Sequence, residues 1–372
     1  MKIKDIVIDK KLSKAEVGYK PYLEIGDIDI SNKEYLLKDK GAVEGSVKAQ
    51  KNDVLVSKVR PTRGAITILK EDNIVVSNAF VVLSANESLC MHKYLFYALQ
   101  SKKFLNYLGS NSKGATYPTC SKNDVLNFDI GLDRTLNTQK NIVDTFERLS
   151  KIIKCKKQQL SEYDQLIKSR FVEMFGNPMD KSEKFIYSTY GDKFELNAGG
   201  TPSKSNPDYW NNGTISWIGS NLCQNVILYS NDGKFITKEG FKNSSTRLFP
   251  VDTVLIALVG ATIGKTALLK FETTTNQNVL GVRGIKEAGY NPYFVYMYTQ
   301  GLYQKFMDIG DGGFNMASKA FISQLYIPEI DISLQNEFAI LVQQVDKLKF
   351  SVQKSLDETK ELFDSLMQEY FG

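Results

Sequence analysis

Gly260-Ala-Thr-Ile-Gly264-Lys265-Thr266 has the residue types of a phosphate-cradling loop, glycines for close backbone approach and a lysine for charge. Such a loop needs four residues between its glycines and a helix directly after its lysine, so that backbone amides and the helix N-terminus converge on the phosphates. Here three residues separate the glycines and β-branched and aliphatic residues surround the segment. The spacing therefore predicts a tight hairpin with Lys265 placed to meet a nucleic-acid phosphate, and argues against nucleotide hydrolysis. Metal and two-histidine chemistry fare no better. His92 is the single histidine and sits in the apolar stretch CMHKYLFYAL, which points to a structural role. Cys90, Cys120, Cys155 and Cys223 form no C-x-x-C pair, so neither a zinc site nor a disulfide framework is expected.

A second chemical possibility is Asn291-Pro292-Tyr293-Phe294, close to the Asn-Pro-Pro-aromatic motif of amino-methylating DNA methyltransferases. Those enzymes hold a flipped base with the Asn and stack it on the aromatic ring. The second proline is missing here, and no glycine-rich strand–turn–helix stands upstream to hold S-adenosylmethionine. Asn as N-cap and Pro at the first helical position explain the pair more simply. Methylation of adenine by this chain alone remains the alternative enzyme reading.

The polar loops suit binding better than catalysis. Residues 200–221, GTPSKSNPDYWNNGTISWIGSN, carry hydroxyls, amides and aromatics, and TTTNQN at Thr273–Asn278 adds more. Asn and Gln can pair bidentately with adenine, while Lys and Arg reach guanine and phosphate. The matching part of the first half is different, with Lys58, Arg60 and Arg63 in SKVRPTRG. The net charge of +5 permits nucleic-acid binding without requiring it. Trp210 and Trp217 are expected in the core.

The elements that must position these loops are written twice. VEMFG ending at Gly176 answers EYFG ending at Gly372, an offset of 196, and Gln139 answers Gln335 at the same offset. NDVLVSKVRPTRGAITILK answers VDTVLIALVGATIGKTALLK, with Leu55 and Leu255 offset by 200. Ser121-Lys122 answers Ser318-Lys319, and Phe104 answers Phe306. Preserved order with a drifting offset indicates duplication of a whole domain with its helix. In each copy short β-branched runs predict strands: Val54–Val59, Ile66–Leu69, Ile74–Val76 and Phe80–Leu83, then Val254–Val259, Thr266–Leu269 and Val279–Val282. A helix follows in each, around His92–Leu108 and Pro292–Met307.

Each copy closes on a long helix. Ile142, Phe146, Leu149, Ile153, Lys156, Leu160, Tyr163, Ile167, Arg170 and Met174 stand alternately four and three apart. So do Phe338, Val342, Val345, Lys349, Val352, Leu356, Thr359, Phe363, Leu366 and Tyr370. An apolar line held over four heptads without Gly or Pro specifies a coiled-coil seam, and about 39 helical residues span roughly 58 Å. Gly176-Asn177-Pro178 stops the first helix, and Pro328 keeps the second from starting earlier. The expected fold is α/β (α+β), with two similar globular domains at 1–133 and 177–330. Helices at 134–176 and 331–372 pair as an antiparallel coiled coil, giving a pseudo-two-fold repeat. The start, MKIKDIVIDKKLSK, lacks the apolar run of a signal peptide and no later run suits a membrane span, so the chain is expected in the cytoplasm.

TPSKSNPDYWNNGTISWI, then VLIALVGATIGKTALL with TTNQN, then NPYFVYMY and the terminal helix, resemble in order and spacing the specificity subunits of Type I restriction–modification systems. The resemblance covers essentially the whole chain, closely in the second half and loosely in the first. Before its Ser-Lys this chain has GDGGFNMASK, where the family often has a Gly-Gly/Ser-Thr-Gln type turn, so no role carries over to Asn315. The resemblance implies a non-catalytic subunit whose two target recognition domains each read half of a bipartite duplex DNA site, the helices fixing the gap. It implies two modification subunits bringing S-adenosylmethionine, and restriction subunits using ATP and Mg; this chain would carry no cofactor and no metal. Candidate DNA contacts are Lys58, Arg60, Arg63, Lys113 and Lys122, and then Thr201, Ser203, Lys204, Tyr209, Lys265, Asn276 and Gln277. Lys151, Lys154 and Lys157 on the outer helix face are candidates for meeting the modification subunits. A coiled-coil protein scaffold that never touches DNA is the other alternative; salt-sensitive duplex binding separates the two.

Overall fold

The computed structural model describes residues 1–132, 134–309 and 316–372, so Asn315 and the GDGGF before it lie outside the described residues. Two compact units emerge, Met1–Gln158 with Gln353–Gly372, and Gln159–Val352. The long helices, Leu136–Phe175 and Ile332–Phe371, each contribute to both.

The first unit holds two small sheets. In one, Val54–Ser57 lies between Ile66–Ile68 and Phe80–Leu83, antiparallel to both, with Val54 opposite Ile68 and Leu83. In the other, Ile74–Val76 pairs parallel with Tyr22–Leu23 and antiparallel with Val47–Ala49. The second unit repeats this wiring. Val254–Ala257 lies between Thr266–Leu269 and Val279–Arg283, with Val254 opposite Leu268 and Val282. Adding 200 to the first copy's Val54–Ile68 pair thus lands on a true pair of the second. Glu195–Ala198 and Val226–Leu228 extend that sheet at its two edges. Thr273–Thr275 pairs parallel with Ile215–Ile218 and antiparallel with Leu248–Phe249, as Ile74–Val76 does with its own neighbours.

Three expected helices and loops need correction. The helix expected over His92–Leu108 is two, His92–Ala98 and Lys102–Asn111, because the Ser101 hydroxyl accepts the Phe104 amide and starts a new helix. The one expected over Pro292–Met307 breaks after Gly301, where a β-carbon would sit 2.4 Å from Pro178. The third is TTTNQN as a loop. Its three threonines are fully buried in a strand, with Thr274 Oγ1 donating to the Ser216 carbonyl at 2.8 Å. β-Branching suits Thr to a strand as well as Ile, and the hydroxyls find partners inside.

The long helices bury the line of alternating four and three. In both helices every residue of that line is buried or half-buried, whereas most residues between are exposed. In the first unit Phe146 is fully buried against Phe363 and Tyr97, centroids 5.0 Å away in each case, and Lys156 Nζ donates to Ser355 Oγ at 2.7 Å. In the second, Phe171 meets Phe338 edge-on at 5.2 Å, and Lys349 and Asp164 form an ion pair at 2.5 Å. Within each unit, then, low numbers on one helix meet high numbers on the other, and the helices run antiparallel. Gly176 ends the first helix at φ 80°, a conformation glycine adopts without steric cost. The Asp331 carboxylate accepts the Ser333 amide at 2.7 Å and starts the second, a cap that the Pro328 argument overlooks.

A buried glutamine fastens each short helix to the long one that follows. Gln139 Oε1 accepts the Met91 amide at 3.0 Å, and its Nε2 donates to the carbonyls of Leu89 and Arg134. Gln335 Oε1 accepts the Asn291 amide at 2.9 Å, and its Nε2 donates to the Ile330 carbonyl at 2.7 Å. Both glutamines are fully buried, and each amide answers backbone groups that helix and loop ends would leave unpaired.

Candidate nucleic-acid interface

In the first unit the candidate side chains come from two segments that hold each other. The Lys58 carbonyl accepts the Cys120 amide at 2.9 Å, the Arg60 amide donates to the Pro118 carbonyl at 2.7 Å, and Lys113 pairs with Thr119. Lys58, Arg60, Lys113 and Lys122 therefore sit on one pair of interlocked loops. Arg63, exposed at the end of the 3-10 turn Pro61–Arg63, leaves the same loop. Lys122 opens the helix Lys122–Asn127, whose Ser121 cap hydrogen-bonds Asp124 and holds that carboxyl below its ordinary value. With Lys4 and Lys10 it lines a cleft of about 240 Å³. Burial lowers the pKa of Lys33, which donates to the Gly64 carbonyl at 2.7 Å and braces the turn from behind.

In the second unit Thr201 Oγ1 donates to Gln277 Oε1 at 2.6 Å, so these two candidates touch. Asn276 is next to them, its amide tied to the Ile218 carbonyl and its Oδ1 accepting the Asn278 amide at 3.1 Å. Ser203 and Lys204 are exposed on the following turn, and Ser203 Oγ bonds Ser205 Oγ. Tyr209 is half-buried in the 3-10 turn Pro207–Tyr209, with its carbonyl accepting the Thr237 amide. Of the two tryptophans expected in the core, Trp217 is there, whereas Trp210 is only half-buried, and together they floor this loop. Trp217 is buried and donates to the Gly200 carbonyl, Trp210 donates to the Ser203 carbonyl, and the rings meet edge-on at 5.2 Å. Lys265 stands apart, its Nζ donating to Gln224 Oε1 at 2.8 Å. The loop between Gly219 and Asn225 bridges from Asn276 toward it, because a β-carbon on Gly219 would lie 3.8 Å from Asn276 Nδ2.

Tyr117 and Gln224, which no sequence argument singled out, join these clusters. Tyr117 is 63% exposed under the Arg60 guanidinium, and Gln224 orients Lys265. Neither follows from a motif, since each matters only through a partner some 40 to 60 residues away in the chain. Among the basic helix residues, Lys154 bonds Glu34 at 3.2 Å and Lys157 faces Asp29, so part of that face is occupied within the unit; Lys151 is exposed.

The enzymatic alternatives lose their geometry. The strands Val254–Ala257 and Thr266–Leu269 do form an antiparallel pair, but the expected tight hairpin is a longer connection containing the 3-10 turn Gly260–Thr262. Lys265 leads into the second strand, and Gly264, at φ 74°, packs its backbone on Phe306. No helix follows to focus a dipole on phosphate. Asn291 Oδ1 accepts the Tyr293 amide, its Nδ2 donates to Asn336, and Tyr293 and Phe294 are buried in the core. A flipped base finds no open aromatic face there. Among the described residues no cluster of His, Cys, Asp and Glu could hold a metal, and no helix is long and apolar enough to cross a membrane.

A family model described as Type I restriction modification DNA specificity domain matches residues 1–163 and again 183–359. The Escherichia coli Type I restriction enzyme EcoR124I/EcoR124II specificity subunit is 31% identical over 105 residues, 27% of this chain and 26% of that protein. The match thus spans about a quarter of that relative's length. Two solved structures align over 100% of this chain. One, from work on complex assembly and conformational transition of the type I R-M system, gives a TM-score of 0.61 at 17% identity over 96% of that chain. The other, the Type-I restriction-modification system S subunit from M. genitalium, gives 0.58 at 15% identity over 95% of that chain. At these identities the structural likeness speaks to fold alone.

Proposed function

The chain belongs to the family of Type I restriction modification DNA specificity domains, and from that premise we propose that it binds duplex DNA sequence-specifically as the specificity subunit of a Type I restriction–modification complex. Residues 1–133 and 177–330 act as target recognition domains, each reading one half of a bipartite site. Helices 134–176 and 331–372 set the gap. Lys58, Arg60, Arg63, Lys113 and Lys122 meet DNA in the first domain; Thr201, Ser203, Lys204, Tyr209, Lys265, Asn276 and Gln277 do so in the second. The chain supplies recognition and no catalytic group. Two modification subunits bring S-adenosylmethionine, and restriction subunits bring ATP and Mg, in the cytoplasm.

One observation carries this reading: the same strand wiring occurs twice, at an offset near 200, under unlike polar loops. Duplicated enzymes would repeat their reactive groups, whereas two readers of different half-sites keep the scaffold and change the loops. Phosphate-facing lysines supply affinity that falls with salt, and the amides and arginines supply discrimination. The test is methylation of a mixed DNA library by this chain co-purified with the methyltransferase encoded beside it, with modified bases read by sequencing. Methylation confined to a two-part motif with a fixed gap supports the proposal. Modification that does not depend on this chain leaves only a scaffold, and modification by this chain alone makes it an enzyme.

A further inference from the structure

We infer that Arg60 reads a guanine within the half-site bound by the first recognition domain, and that Tyr117 is the positioning residue that aims it. The inference rests on the DNA-reading function proposed above and adds the base and the geometry.

Arg60 has φ 47° and ψ 52°, the left-handed region that a β-carbon disfavours. A non-glycine residue stays there only when its surroundings hold it. Three bonds do so: its amide donates to the Pro118 carbonyl at 2.7 Å, the Cys120 amide donates to the Lys58 carbonyl at 2.9 Å, and Lys33 Nζ donates to the Gly64 carbonyl at 2.7 Å. Pro61 then limits the backbone immediately beyond. The loop is therefore built to launch the Arg60 side chain in one direction.

That side chain ends on Tyr117. The guanidinium carbon lies 4.1 Å from the centre of the Tyr117 ring, which is 63% exposed. At that distance the ring and the cation attract each other, and a guanidinium held against a ring face keeps its N–H donors in its own plane, available for a further partner. Among the described residues the Arg60 guanidinium makes one hydrogen bond, from a terminal nitrogen to the Thr116 carbonyl, long at 3.4 Å, and pairs with no carboxylate. A planar fork that keeps donors beyond that one long bond matches the O6 and N7 acceptors of guanine in the major groove. Lys58, Lys113 and Lys122, on the same interlocked loops, have the point charges suited to phosphates. Lys265 in the second unit differs, because Gln224 already takes one of its donors.

The experiment selects binding sites from a random duplex library with the chain co-purified with its neighbouring methyltransferase, comparing wild type with Arg60→Lys, Tyr117→Phe and Tyr117→Ala. Arg60→Lys keeps the charge and loses the fork. It should lower the preference for guanine at one position of one half-site by about five- to 150-fold, the range of a bidentate contact. Tyr117→Phe should keep that preference and Tyr117→Ala should weaken it at the same position. The other half-site, unchanged throughout, reports that the variants are folded. An Arg60→Lys motif identical to wild type, or affinity falling equally for all sequences, overturns the inference and leaves DNA reading intact. A wild-type chain that selects no motif overturns both.

Discussion

Replacing Gln335 with leucine removes one amide at nearly constant volume and isolates what the buried glutamine contributes. Two groups lose their partner, the Asn291 amide at 2.9 Å and the Ile330 carbonyl at 2.7 Å. An unmet buried polar group costs about 1–3 kcal/mol. Asn291 and Ile330 are themselves half-buried, so water recovers part of each loss and the lower end of the range applies. Leucine adds apolar burial worth under about 1 kcal/mol in return. The net destabilisation is then about 1–2 kcal/mol, a shift in urea midpoint of about 0.5–1 M at an m-value near 2 kcal/mol/M. Amide exchange at Asn291 and Val295, at the head of the short helix, should quicken by about five- to 30-fold. A midpoint shift under about 0.2 M with normal exchange at Asn291 would refute the idea that this side chain anchors the helix. Gln139→Leu, which strips partners from Met91, Leu89 and Arg134, should behave alike in the first unit.

Further outcomes follow from the same geometry. Phe146→Ala empties the aromatic cluster of Tyr97, Phe363 and Phe371 and should cost about 3–5 kcal/mol, a drop on the order of 10 °C by calorimetry; a drop below 2 °C would contradict the packing. Gly264→Ala places a β-carbon 2.7 Å from Phe306 at φ 74° and should cost about 2 kcal/mol, with ATP leaving the melting temperature of the wild type unmoved. Stabilisation by ATP would revive the phosphate-loop reading. Burial pushes the Asp346 carboxyl above its ordinary 3.8, with Asp164 adding and Lys349 and Lys270 opposing, and its Oδ2 has no hydrogen-bond partner. The folded form then holds this proton more tightly than the unfolded chain, so the associated stability is present below 3.8 and is lost as pH rises through the raised value. Asp346→Asn should therefore melt higher than wild type at neutral pH and converge with it below that range; an equal offset at all pH would be inconsistent.

Periodicity was enough to place the long helices and their buried line, because a spacing of four and three has one geometric meaning whatever surrounds it. The repeat did the same for the paired strands, and Leu55 and Leu255 occupy matching positions in sheets of matching register. Composition ruled out histidine relays, since one histidine cannot make a pair. Tertiary structure decided the rest. The fate of Thr273–Thr275 turned on neighbours that satisfy hydroxyls, and only Ile74–Val76 in the other copy hinted at it. Gly301 reads as one more helical residue until Pro178, more than 120 positions earlier, takes up the space of its β-carbon. Arg60 becomes an aimed group only because a segment nearly 60 residues later brings Tyr117 beneath it. Local pattern dictates which face of an element is buried, because burial follows from the element's own period. What a loop side chain can do depends on the partner opposite it, and that partner is chosen by the fold.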